Sequence, residues 1–521
     1  MKRKLKTALF ALMLIVLALL TACGSAATQS AADTAQQTAS PPAESAAATE
    51  EPQTTEEPAA QEAPQITIAT EKRDWYSDDA AYWLMHAEYD DVSVTGESCE
   101  ALVSAVSEWN SQQKDIYWTG CGEWSEYAAE EIGYMPMTAD SYYYWSWRLI
   151  DTERIDGAVL SLLCTDYLYS GGAHGNFFYS GVSFDAQSGE ILELSDIISD
   201  TDGFLSAAVP YVCGDLYAQY GTGLYDYYEE EVETLLSEEP TWYLDAEGVT
   251  FVFPPYTLGP YAMGTAYSTC PYAEFAEYID EEYLGLNGAG VARLSAGSEV
   301  QLDEGTLRVS IDMNEEYGMS PITVSLDGAA EEVGEFGRFG EGYVLRLSDS
   351  RAFLLFDADY MSDDYVTFLY EITGNGLVQR SKLTDVSVTD GAVNTLSQTL
   401  VASLDVLGSY SADMDYAITA DGELEQQGEV FTVRENSYEY FILTAARDLP
   451  VTIDGAAATL AAGSRIRITG TDNIGTAYFR DVDTGAEGSI AFERGTGDES
   501  YMLYIDGVSE YDCFESLPYV G

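Results

Sequence analysis

Between Gly24 and about Gln65 the chain carries no aromatic residue and no Lys or Arg; it is chiefly Ala, Thr, Ser, Gln, Glu and Pro. Such a segment buries too little apolar area to offset the entropy of ordering it, which predicts a disordered linker over 23–65. As a flexible coil it would have an end-to-end distance on the order of 35 Å. Any hydrophobic core must come from the residues that follow, and there the supply is ample: 46% of the chain is apolar and 39 residues are tyrosine. The roughly 455 residues after the linker suit two to four domains, so a multidomain body is expected.

Ahead of the linker, Lys2, Arg3, Lys4 and Lys6 precede an apolar run from Leu9 to Leu20. A basic start, a short apolar stretch and small residues before a cut are the parts of an export signal. The run falls short of the roughly 20 residues that a bilayer core requires. Leu20-Thr21-Ala22-Cys23, followed by Gly24, resembles the lipobox of bacterial lipoproteins. The resemblance implies a signal peptide over 1–22 and lipidation of Cys23. The mature protein would then be extracytoplasmic and lipid-anchored, with the cell membrane as a partner through its acyl chains alone.

Charge narrows the partners. Lys plus Arg number 22 against 89 Asp plus Glu; without the four basic residues of the signal the balance is 18 against 89, or −71. Nucleic acid is excluded, because a phosphate backbone requires a basic footprint. A cationic partner is permitted, as is a role in solubility alone. Besides Cys23 there are Cys99, Cys121, Cys164, Cys213, Cys270 and Cys513, none in a C-x-x-C. Neither a zinc ribbon nor a thioredoxin-type site is suggested, and disulfides and buried free thiols both remain open.

Helix and strand signals alternate over 66–285. Cys99, Leu102, Val106 and Trp109 share one helical face, which predicts an amphipathic helix over 97–113. Tyr142–Trp147 and Gly157–Leu163 read as strands, and Asp185–Gly189 as a turn between two more. Asp196 to about Tyr220 reads as helix, with Pro210 a kink or break. A hairpin over 241–253 and a short helix near 271–279 complete an α+β domain, an antiparallel sheet with helices on one face.

Three blocks occur in order here: Tyr169 to Gly175 (Tyr-x-Gly-Gly-Ala-His-Gly), the Phe-Asp-x-x-x-Gly turn, and Phe253 to Gly264 (Phe-x-Pro-Tyr-x-x-x-Pro-Tyr-x-x-Gly). Together they resemble the extracellular domain of RsiV-type anti-sigma factors, also found in PdaC-type deacetylases. The resemblance implies a domain that binds lysozyme, although the expected lipid anchor at Cys23 would leave no cytoplasmic segment to hold a sigma factor. Tyr169, Gly171, Gly172, His174 and Asn176 are the candidate ligand-binding residues. The other reading of this loop is a sharp glycine-built connection in which His174 bonds to a backbone carbonyl. The 254–264 block is read as a rigid packed turn in preference to a recognition groove.

Catalysis has little to stand on. His86 and His174 are the only histidines, so the several histidines of a deacetylase metal site are missing. There is no H-E-x-x-H and no G-x-S-x-G. No catalytic residue, metal or cofactor is assigned, and short acidic clusters read as turns. From 286 to 443 strand signals dominate and predict an all-β region. Residues 444–521, with short strands and a tight hairpin at Asp483-Thr-Gly485, resemble a bacterial SH3-like barrel. The expectation is a non-enzymatic envelope protein that binds a lysozyme-like cationic protein or peptidoglycan. The alternatives are a wall-glycan hydrolase that uses carboxylates and a structural accessory lipoprotein.

Overall fold

A computed structural model describes residues 63–519 except 79–81, 97–98, 132–142, 312–317, 362–363 and 435–440. Cys23, the signal and nearly all of the linker lie outside the described residues. β1 (Gln65–Tyr76) and β2 (Trp83–Thr95) form a hairpin that the sequence did not announce, because β1 turns charged after only a few alternating residues. α1 (Glu100–Glu131) takes up the predicted helix from Glu100, residues 97–98 lying outside the described residues, and runs about five turns further beyond 113. Leu102 and Val106 are fully buried, and Trp109 meets Phe184 edge-on at 5.8 Å. Trp118, Cys121, Trp124 and Ala128 keep the same spacing beyond the polar stretch 111–115 that had masked the continuation.

β3 (Tyr144–Ile155), β4 (Val159–Tyr169), β5 (Asn176–Asp185) and β6 (Ile191–Leu192) form an antiparallel meander, with the predicted turn at Asp185–Gly189. Then come α2 (Leu194–Ile197), α3 (Thr201–Tyr220) and α4 (Tyr228–Ser237). Pro210 does not break α3. Phe204, Ala208, Val212 and Leu216 are fully buried on the opposite face, and that packing holds the helix across the missing N–H. β7 (Trp242–Leu244), β8 (Gly248–Phe253) and β9 (Ala266–Pro271) make a small sheet, followed by the single turn α5 (Tyr272–Phe275) and by β10 (Gly290–Leu294).

β10 joins the two halves of the chain. It pairs with β3 on one side and with the strand Arg338–Arg346 on the other. One eleven-stranded sheet therefore continues through Ala352–Asp359 and Tyr365–Thr373, where the sequence marks strands at 352–356 and 366–372, and then through Gly376–Thr384, which the sequence did not mark. β2 pairs with β3 in parallel along the same edge that β10 uses further on. Helices lie on both faces of this sheet, where one face was expected. α1 packs on one face, together with strands between 386 and 433; α3, α4 and β7–β9 cover the other. A four-stranded meander over 299–336 covers the remainder of that second face.

Strands between 386 and 491 form the other large sheet. The SH3-like end is where expectation and structure part: the short strands are present, but no barrel closes. Phe431–Val433 pairs with Arg465–Thr471, so the last strands extend a sheet begun at Val386 and leave it open. The chain is thus mostly β, built from several antiparallel sheets. Among the described residues no helix is long and apolar enough to cross a membrane. All six cysteines beyond Cys23 are buried free thiols.

Buried polar groups tie these layers. Arg154 and Asp156 are fully buried and paired at 2.7 Å, and Arg154 also donates to the Tyr272 hydroxyl (3.0 Å) and the Tyr283 carbonyl (2.6 Å). Where β2 and β10 diverge along β3, Arg293 meets Glu153 (3.1 Å), Glu341 (2.8 Å) and Asp151 (3.6 Å). Burial pushes Glu153 up to about 8; Arg293 opposes this, and the charges of Asp151, Asp245 and Glu341 add to it.

Candidate functional site

β4 ends at Tyr169 and β5 begins at Asn176, which restarts the ladder opposite Leu168. Between them Gly171 (φ 86°) and Gly172 (φ 105°) occupy backbone conformations that other residues adopt only with strain. The Tyr169 hydroxyl donates to the Gly172 carbonyl at 3.1 Å and closes the loop on itself. His174 Nδ1 lies 2.9 Å from the Gly175 carbonyl oxygen. A carbonyl can only accept, so Nδ1 carries a proton, and Nε2 lies 3.2 Å from the Tyr256 hydroxyl, within hydrogen-bond distance. The same ring stacks on Tyr261 with centroids 3.7 Å apart and planes at 16°.

Tyr256 and Tyr261 belong to the Pro- and Tyr-rich block, so the two sequence motifs meet face to face. Tyr256 sits at φ 73°, costly for a residue with a side chain, and is 54% exposed. Beneath the loop, the Gly175 backbone lies so close to the Tyr167 ring that a Cβ there would collide with it. Tyr167 stacks on Trp147 (5.1 Å) and packs on Phe177 (4.9 Å). A third loop arrives through the Tyr225 N–H, which donates to the Leu258 carbonyl at 2.8 Å. Its Tyr225 and Tyr227 rings stack at 5.2 Å. Three loops thus converge on a surface of tyrosine and histidine.

The part of the chain that supplies these loops carries charge of one sign. From Ile155 to Ala292 there are 23 Asp plus Glu and no Lys or Arg. Tyrosine-rich loops give large contact area at small entropic cost, and the surrounding carboxylates favour a basic partner. Both ring nitrogens of His174 have partners within these loops. Glu153, whose carboxyl pKa is raised by burial, is only 2% exposed and so is closed to a substrate. Among the described residues no three His, Cys, Asp or Glu are gathered to hold a metal ion. The sequence singled out Tyr169, Gly171, Gly172, His174 and Asn176, and the structure places them at the β4–β5 connection. Sequence reasoning passed over Tyr225 and Tyr227, although the run Tyr225-Asp-Tyr-Tyr-Glu-Glu-Glu231 marked them.

Comparison with known proteins gives a local match. Residues 195–273 match a family described as protein of unknown function DUF3298. A solved member of that family from Bacteroides fragilis is 16% identical, with 43% of this chain and 96% of that chain covered and a TM-score of 0.34. A DUF3298 family protein from Pseudomonas aeruginosa is 12% identical over 43% of this chain and 97% of that one, with a TM-score of 0.30. TolB from Acinetobacter baumannii is 11% identical over 68% of this chain and 81% of that one, with a TM-score of 0.18. No curated protein matches the chain. The match over 195–273 takes in α3, α4 and the Tyr256–Tyr261 loop, and on it the chain carries a DUF3298-type domain.

Proposed function

We propose that this chain is a non-enzymatic, lipid-anchored binding protein of the cell envelope that captures a lysozyme-like cationic protein through the junction of His174, Tyr256 and Tyr261. The observation that carries the reading is the meeting of two motif loops at that junction, with Tyr256 exposed in a stretch free of Lys and Arg. The RsiV-like assignment of the domain belongs to the same proposal and rests on the sequence blocks. So does the SH3-like reading of 444–521, which has short strands and a tight hairpin in its favour and receives no ligand here.

The test is calorimetric titration of the mature chain with lysozyme at low and moderate salt. Saturable binding is expected, and Tyr256→Ala should weaken it by about tenfold or more, the loss of one buried aromatic anchor. Absence of saturable binding at low salt defeats the reading. Release of fragments from peptidoglycan by the purified chain would favour the hydrolase alternative instead.

A further inference from the structure

α3 and α4 lie side by side and leave an open groove of about 700 Å³ between them. Its floor is Pro210, Cys213 and Gly214, one stripe of α3 at helical spacing. That stripe is low because neither Pro210 nor Gly214 carries a long side chain, while the opposite stripe of α3 is committed to the core. Tyr217 and Tyr228 flank the floor, and the Tyr228 hydroxyl lies 3.4 Å from the Cys213 carbonyl. Glu229, Glu230 and Glu233 line the α4 side, and all three are exposed.

We propose that this groove is a docking site, separate from the His174 junction, for a cationic amphipathic segment of a partner protein: aliphatic side chains on the floor, Lys or Arg against the α4 wall. Charge complementarity selects the occupant. Three carboxylates stand along one wall within a 138-residue stretch that contains no Lys or Arg to answer them. The linker of this chain cannot fill the groove, because it too lacks basic residues. Apolar burial on the floor and charge pairing at the wall are the two terms by which grooves of this kind hold an amphipathic helix.

The test uses the mature chain and a fluorescent synthetic helix of about 18 residues, made of Leu and Lys, long enough to be helical when bound. A Leu and Glu counterpart is the control, and anisotropy at low and moderate salt is the readout. One-to-one saturable binding of the Leu and Lys peptide alone is expected. Gly214→Leu should reduce affinity about tenfold, since the added side chain fills the floor. It should not unfold the protein: a Cβ at this position meets nothing within 4 Å, and leucine suits a helix better than glycine does. Glu229→Gln, Glu230→Gln and Glu233→Gln combined should lower affinity and flatten its salt dependence. Tyr256→Ala should leave peptide binding unchanged, so failure here and failure at the His174 junction are told apart. Peptide binding that Gly214→Leu leaves intact, or that rises with no saturation, would mean diffuse attraction to an acidic surface and would overturn the proposal.

Discussion

His86 lies between two carboxylates, with Nδ1 2.8 Å from Asp74 and Nε2 2.9 Å from Glu88. Burial disfavours the charged ring, but the hydrogen bonds and charges of Asp74 and Glu88 outweigh it and raise His86 to about 9. Glu88 moves the other way, to about 2, chiefly through the hydrogen bond from His86 and against the cost of burial. The histidine's contribution to stability is complete below its unfolded value of 6.5 and is lost as pH rises through about 9. Glu88's contribution is complete above 4.5 and is lost as pH falls toward about 2. Glu153 adds a loss of the same sign as His86, from 4.5 up to about 8, because an acid raised by burial destabilises once it ionises. Thermal melts of His86→Gln beside the unaltered chain separate the two. The gap in Tm should be widest near pH 6 and close toward pH 9, and a gap that is constant with pH would deny the histidine this role. At this scale the sequence was informative about residue type only. It singled out His174 as the one chemically inviting side chain, yet its neighbours Tyr256 and Tyr261 lie more than 80 positions away, where no spacing rule reaches.

Strands written as short apolar runs were legible to within a few residues: Ala352–Asp359 and Tyr365–Thr373 read as strands from their own composition, and both are buried along most of their length. α1 was legible only in its first half, and β1 not at all, because both owe their position to partners supplied by the fold. β5 shows the limit of pattern reading. Gly181 lies against the backbone of β7, and a Cβ there would collide with the Trp242 carbonyl oxygen. Gly181→Ala should therefore force the small sheet off the large one and cost about 1–3 kcal/mol or more, as overpacking does. Urea unfolding would show this as a lowered midpoint at unchanged slope. A midpoint equal to that of the unaltered chain would mean that β7 yields freely.

The large sheet runs across residue 285, so the two stretches on either side share one hydrogen-bonded ladder and contiguous cores. A fragment of 66–285 alone would lose β10 from the edge of β3 and expose the apolar face that strands 386–433 cover. It should aggregate or give a poorly dispersed amide spectrum, whereas the full body should unfold cooperatively; a monomeric, well-dispersed fragment would refute the dependence. The same whole-molecule view explains what could be known beforehand. Where a core is possible, which segments alternate as strands, and the overwhelming negative charge follow from local period and composition, so one chain read in order suffices. Which strands become neighbours, how three distant loops come to share one tyrosine surface, and where α3 and α4 leave a groove are contacts between residues tens to hundreds apart in the chain. These depend on the summed packing of many weak interactions, and only the folded chain decides them.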